Sequence, residues 1–352
     1  MIPIAAKQVW GIMRLETRRV FLSRMSLWLY LLAFAPLILL LGLAAAEVRQ
    51  YQRLQRIPRD RYADSKAMDA IYPGMAHQQA IEILGRPYEE WSQWRGRPWI
   101  FSKFTDGKTD LTLVFVDERL EHIITRQPAS IQQYIRLLAS VYNWYYLRLA
   151  VFFGCVWVFS NLFRGQILDK TIHFYLLCPV RREVLMAGKY IAGLAATVLI
   201  FNASLAMQWA TILWSVDKAT VAGYMADRGW HQLLMYSAIT TLACVGYGSL
   251  FTTVGLLFRN PIVPTAAILV WEHINQFLPA ALKRLGMIHY LLSLCPVDAG
   301  PQQLPPLISL LIRPAEPASP PVALAWIIAL SALMLGISCV LARRLQVNYA
   351  TD

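Results

Sequence analysis

Charge is scarce in this 352-residue sequence: Asp, Glu, Lys and Arg make up 15% of it, and 57% of its residues are hydrophobic. Soluble domains carry about one quarter charged residues, so the shortage argues against an ordinary water-soluble globule and for a polytopic membrane protein. Cysteine supplies no framework. Cys155, Cys178, Cys244, Cys295 and Cys339 are scattered, none forms a CxxC pair, and segment 47–141 has none. That argues against a disulfide scaffold or zinc site and leaves small buried hydrophobes. Signatures of self-sufficient chemistry are also missing. Gly107-Lys108-Thr109 is the sole GKT, but Ser102 stands where a phosphate-binding loop needs its first glycine, so it reads as a turn. Ser249 lacks G-x-S-x-G flanks, and Glu272-His273 has no second histidine at HExxH spacing.

What is present is a series of apolar runs, near 27–46, 142–163, 187–213, 232–257, 262–280 and 322–342. Each approaches the roughly 20 residues that a helix needs to cross about 30 Å of hydrocarbon. The first contains Pro36 and exits through Glu47-Val48-Arg49, unlike a small-residue cleavage site, so it reads as a retained membrane helix. The net charge of +12 raises the question of nucleic acid, and its distribution answers it. One set of flanks holds Lys7, Arg14, Arg18, Arg19, Arg24, Arg164, Lys170, Arg181, Arg182, Lys189, Arg259, Arg343 and Arg344. The short loops opposite hold Lys218, Arg228, Lys283, Arg284 and Arg313, so the balance is 13 against 5. The positive-inside rule then places both termini in the cytoplasm, in the cell (inner) membrane. The basicity is mostly topology and does not imply nucleic-acid binding.

The expected fold is a polytopic α-helical membrane protein with six transmembrane helices and a small α+β insertion between helices 1 and 2. Residues 1–26 read either as an interfacial amphipathic helix or as a basic, topology-setting tail. Residues 47–141 form the polar, extracytoplasmic insertion. In it Ile71, Met75, Ala80, Ile83 and Leu84 suit a short helix ended by Gly85, and 99–105, 111–117 and 119–126 suit three strands. Gly74-Met75, Leu84-Gly85-x-Pro87, Trp99–Phe101, Val114-Phe115, Leu120 and Ile123 resemble the BamE/SmpA-like domain of bacterial envelope proteins. Residues 281–321 are proline-rich, with a re-entrant or interfacial piece at 285–297, and 343–352 form a cytoplasmic tail. Trp144, Tyr145, Tyr146, Trp209, Trp214 and Trp230 mark an aromatic interface belt. Gly246, Gly248, Ser249, Thr252 and Gly255 suit close helix packing, within the chain or at a dimer seam.

The segment 161–189, NLFRGQILDKTIHFYLLCPVRREVLMAGK, is too charged for lipid and too apolar for a solvated loop. It suits a helix at the cytoplasmic surface, broken by Pro179, or a loop that merely sets topology. Asp169-Lys170-Thr171, Leu176-Leu177-x-Pro179-Val180-x-Arg182 and Gly188-Lys189 resemble the corresponding loop of ABC-2 type transporter permeases. Asp169 stands where that family usually has glutamate. The resemblance implies a transport subunit, favouring export, that pairs with a second copy or a homologue and carries no cofactor of its own. A cytosolic ATP-binding subunit would hold ATP and Mg and dock on the coupling segment 164–186 through Asp169, Thr171, Pro179, Arg181, Arg182 and Lys189.

Within the fifth run, Glu272 and His273 precede Asn275 and Gln276. A carboxylate at bilayer depth costs about 2.5–3.5 kcal/mol on insertion scales, so it faces protein or water. It lines a pathway, pairs with Asn202 or Gln208 of the third run, relays protons, or simply joins two helices. Two rival classes remain. One is a membrane-embedded hydrolase built on Glu272, His273, His289 and Asp298. The other is an envelope assembly protein that acts through 47–141.

Overall fold

Apolar runs become helices because a helix satisfies its own backbone, the requirement that hydrocarbon enforces. The structure, a computed structural model, describes residues 4–22, 26–94, 96–168, 181–258, 260–275, 278–297 and 316–343. The chain begins with α1 (Ile4–Leu22) and α2 (Ser26–Gln55), followed by α3 (Ser65–Asp69) and α4 (His77–Leu84). Four strands come next: β1 (Glu89–Trp94), β2 (Pro98–Thr105), β3 (Asp110–Val116) and β4 (Arg119–Arg126). Helix α5 (Ile131–Val141) then runs through a π-helical stretch, Tyr142–Val151, into α6 (Phe152–Leu168). The remaining helices are α7 (Arg182–Trp214), α8 (Lys218–Tyr224), α9 (Trp230–Leu257), α10 (Ile262–Ile274), α11 (Ala280–Lys283), α12 (Met287–Ser293) and α13 (Pro320–Arg343).

Among the described residues, five helical stretches are long and apolar enough to cross a membrane: Ser26–Gln55, Ile131–Leu162, Arg182–Trp214, Lys218–Leu257 and Pro320–Arg343. The fifth expected run departs from this pattern. Helix α10 stops after 13 residues, about 20 Å at 1.5 Å per residue, short of the hydrocarbon thickness.

The chain divides into two compact units, one of Leu40–Tyr134 with Ile212–Asp217, the other of Met1–Leu39, Ile135–Thr211 and Lys218–Asp352. The first contains a four-stranded antiparallel meander in the order β1-β2-β3-β4. Alternation sends Phe104, Leu111, Leu113, Phe115 and Leu120 to one face, where they bury with Ala80 and Leu84 of α4. Ile71 and Met75 join this core from the loop before α4, outside the helix expected for them. Gly74 and Leu120 make that loop fast: the Gly74 amide donates to the Leu120 carbonyl (2.7 Å), and the Leu120 amide to the Met75 carbonyl (2.8 Å). Asp117 and Glu118 both adopt positive φ between the paired Val116 and Arg119, the signature of a two-residue type I′ hairpin.

Strand β1 was not expected, because every one of its residues is exposed and no apolar alternation betrays it. Cross-strand side chains hold it to β2. Trp91 stacks on Phe101 with ring centroids 5.0 Å apart, and Lys103 sits 4.8 Å over Trp91 while pairing with Glu89 at 2.8 Å. In the β2–β3 loop the Asp106 carboxylate accepts from the amides of Lys108 (2.8 Å) and Thr109 (2.6 Å), so those GKT amides are occupied in the turn. Tyr88 donates to Asp110 (2.8 Å), and its burial together with that bond pushes the phenol pKa up.

In the second unit, tyrosine hydroxyls tie helices to the backbones of their neighbours. Tyr142 donates to the Tyr236 carbonyl (3.1 Å), Tyr190 to that of Val245 (3.1 Å), and Tyr146 to that of Phe201. Tyr146 and Trp209 are therefore buried, not in an interface belt, while Trp144, Trp214 and Trp230 are exposed. The small residues of α9 pack within the chain. A Cβ on Gly255 would lie 3.0 Å from the Ser160 backbone, and one on Gly246 would lie 2.6 Å from the Met287 sulfur.

Helices α9 and α13 run parallel. Thr253 meets Met334 and Ser338 (both 2.9 Å), while a Cβ on Gly246 would reach Ile327 at 3.4 Å. Parallel neighbours need a connection that returns across the bundle. Between Leu257 and Pro320 that return includes α10, α11 and α12, and Tyr290 of α12 stacks on Trp326 with centroids 4.5 Å apart.

Candidate functional site

One end of the membrane unit collects the basic residues. Arg182 opens α7 and donates to the Arg343 carbonyl at the end of α13 (3.1 Å), and Arg343 pairs with Glu183. Arg181 is exposed beside them. Two turns further on, Lys189 departs from its expected role at a docking surface. It is fully buried, its ammonium donating to Glu16 of α1 (2.8 Å) and to the Leu162 carbonyl of α6 (3.0 Å). The physical reason is the packing of α1, whose Ile12 lies over Gly188 so that Glu16, one turn later, reaches the same spot. Helix α1 thus buries Ile12 and Glu16 and leaves Trp10, Arg14, Leu15 and Arg18 exposed. Lys189 and Leu162 bracket the excursion between α6 and α7. Of that excursion, Asp169, Thr171, Cys178 and Pro179 lie outside the described residues.

The second cluster surrounds Glu272 on α10, which is 6% exposed. Its two carboxylate oxygens accept the amides of Met287 and Ile288, each at 2.9 Å. Those are the first residues of α12, so the Glu272 carboxyl group caps a neighbouring helix by accepting amides that the helix's own carbonyls cannot reach. Asn275 donates to the Lys283 carbonyl (3.1 Å) and lies so close to Gly286 that a Cβ there would collide with its side-chain nitrogen. Together Glu272 and Asn275 fold 278–293 back against α10. His273 turns to its own helix and the Leu269 carbonyl (2.9 Å). Gln276 and Asp298 lie outside the described residues.

The other pathway candidates do not join this cluster. Asn202 donates to Thr241 (3.2 Å) and accepts from Ser237, which ties α7 to α9. Gln208 donates to Ser204 (3.1 Å), whose hydroxyl in turn donates to the Ala33 carbonyl (2.6 Å). Each is a buried polar tie between or along helices, and neither meets Glu272.

The sequence reading missed two groups. One is Glu16, whose burial cannot be seen without α1 in place. The other is Arg148, in the π-helical stretch, 8% exposed and packed over the Trp144 ring at 4.7 Å. Its signal was legible: a lone arginine within Tyr142–Val151, YNWYYLRLAV, where charge is otherwise absent.

For hydrolytic chemistry the geometry offers little. Among the described residues no three of His, Cys, Asp and Glu come together to hold a metal ion. On the sheet unit His77 Nε2 contacts both Ser102 Oγ (3.2 Å) and Glu90 Oε1 (3.3 Å), whereas a nucleophile relay needs opposite ring nitrogens. Compared with known proteins, the chain matches no family model, no curated protein and no solved structure.

Proposed function

We propose that this chain is the membrane-spanning permease subunit of an ATP-driven exporter of the ABC-2 type, dependent on a separate cytosolic ATP-binding subunit and paired with a second copy or a homologue. The observation that carries the reading is the gathering of α1, the base of the 164–186 segment and the end of α13 at one end of the helical unit, with Arg181 exposed there. A partner that pushes on the excursion would push on a base clamped by Lys189 to two other helices. The topology supports the same reading. Five long helices alone would separate the termini, but the return from Leu257 to Pro320 supplies a sixth, broken crossing through α10 and α12. In this reading the crossings are even in number, in keeping with the positive-inside charge balance, and the basic end faces the cytoplasm. In this reading the sheet unit is extracytoplasmic and receives cargo or meets an envelope partner.

The test is purification of the tagged chain in mild detergent, with co-purifying proteins identified by mass spectrometry, beside an Arg181→Glu/Arg182→Glu version. A soluble subunit with a nucleotide-binding loop, retained by the wild type and lost from the variant, is the expected result. Recovery of envelope proteins with no ATPase would move the function to the sheet unit and to assembly.

A further inference from the structure

Arg148 lies in the helical span Ile131–Leu162, within its π-helical stretch Tyr142–Val151. Its Nε and Nη1 are enclosed and have no hydrogen-bond partner. A buried guanidinium left in that condition is uncommon, since buried charges are ordinarily paired or hydrogen-bonded. Its acidic neighbour is Glu272, and Tyr247 also lies near it. Yet both Glu272 oxygens are taken by the amides of α12, and the two residues form no ion pair. The backbone at Arg148 is π-helical for ten residues, a widened geometry frequently found at functional sites.

We propose that Arg148 is the centre of an intramembrane binding site for a phosphate-type oxyanion, supplied by the headgroup of an anionic phospholipid lodged between the helices. Arginine suits this ligand because its guanidinium is planar, permanently charged, weakly hydrated and shaped for phosphate oxygens. An apolar span favours a lipid as the source, since phospholipid headgroups are the phosphates that a membrane supplies. Trp144, 40% exposed, covers the guanidinium. The inference rests on these helices being in a membrane and does not depend on the permease reading.

The test is native mass spectrometry of the purified chain in micelles doped with equal phosphatidylglycerol and phosphatidylcholine, beside melting curves with inorganic phosphate. Wild type should retain phosphatidylglycerol about tenfold over phosphatidylcholine, and Arg148→Gln, checked for monodisperse elution, should bring the ratio to about one. Arg148→Lys keeps the charge but not the planar donor set, and should lower the preference at least threefold. It also serves as the deciding variant if Arg148→Gln does not fold. Equal retention of the two lipids by wild type, or a preference unchanged in the variants that fold, overturns the site. Stabilisation by inorganic phosphate, lost in the variants and without lipid preference, keeps the oxyanion chemistry and overturns the lipid as its source. The assay needs no ATPase subunit, so failure to find such a subunit leaves its outcome unaffected.

Discussion

Removing the Glu272 carboxylate should loosen α12 before it alters any other helix. The carboxylate holds two amides, those of Met287 and Ile288, which are 2% and 1% exposed and have no water to replace it. A buried donor stripped of its acceptor costs about 1–3 kcal/mol, so Glu272→Ala should destabilise by roughly 2–6 kcal/mol. Glu272→Gln keeps one acceptor but turns an amide NH2 toward the second N–H, so its cost should be about half, ~1–3 kcal/mol. The assay is the apparent unfolding temperature in detergent micelles, read by tryptophan fluorescence, together with hydrogen exchange of the 287–293 peptide. At about tenfold per 1.4 kcal/mol, the Ala variant should speed exchange of those amides by at least tenfold if α12 opens locally. If both variants melt within a degree of wild type, with α12 exchange unchanged, the capping argument fails. If Gln is neutral while Ala is costly, the site tolerates an uncharged group and the ionised cap is refuted.

Lys189→Met removes the ammonium from the buried Glu16 and should cost about 3–5 kcal/mol, whereas Glu16→Leu/Lys189→Met should recover most of that loss. Unfolding curves and protease nicking of α1 would check both, and a double variant as weak as the single one would contradict the ion-pair account. Gly255→Ala meets the Ser160 backbone at 3.0 Å, which cannot yield as a side chain can, and should cost about 1–3 kcal/mol. Gly336→Ala, with open space around it, should be neutral or slightly stabilising by melting temperature because alanine favours helix. In the sheet unit, Leu113→Ala empties a fully buried site and should cost about 2–5 kcal/mol, while Trp91→Ala on the exposed face should cost about 1 kcal/mol. Hydrogen exchange of β1–β4 would rank the two.

Hydropathy alone made the five long helices legible, because length and apolarity decide them without reference to neighbours. The β2–β4 meander was legible from its alternation and turns, since one face is buried and the other is not. Strand β1 was not legible: Glu89–Trp94 is wholly exposed and is held by partners on β2. Helix α10 was read as longer than it is because the polar group Glu272, His273, Asn275 and Gln276 reads equally well inside a crossing helix as at its end. The effect of Asn275 depends on the distant Lys283 carbonyl it bonds. The site divides along the same line. The exposure of Arg181 agrees with its place in a charged loop, but Lys189 looks identical in sequence and is buried. Only Glu16, 173 positions away, distinguishes them.

Sorting the polar groups of the membrane unit by what they bond separates scaffold from site. Glu272, Asn275, Asn202, Gln208 and the hydroxyls of Tyr142, Tyr146 and Tyr190 each satisfy a backbone or side-chain partner within the chain, so their polarity is spent on fixing helices against one another. Such ties are worth about 0.6–2 kcal/mol apiece in a membrane, enough to set helix register when many act together. Enclosed polar atoms of Ser160, Trp209 and Thr265 lack a hydrogen-bond partner, but among such groups Arg148 carries a charge, with two enclosed nitrogens lacking a partner, and Arg181 stands exposed at the basic end. Arg148 lies on the helical span that ends at Leu162, the residue whose carbonyl receives Lys189. In the proposed reading, a displacement of the clamped end would reach Arg148 through the helical span that holds both contacts, without any chain of charges through the bilayer.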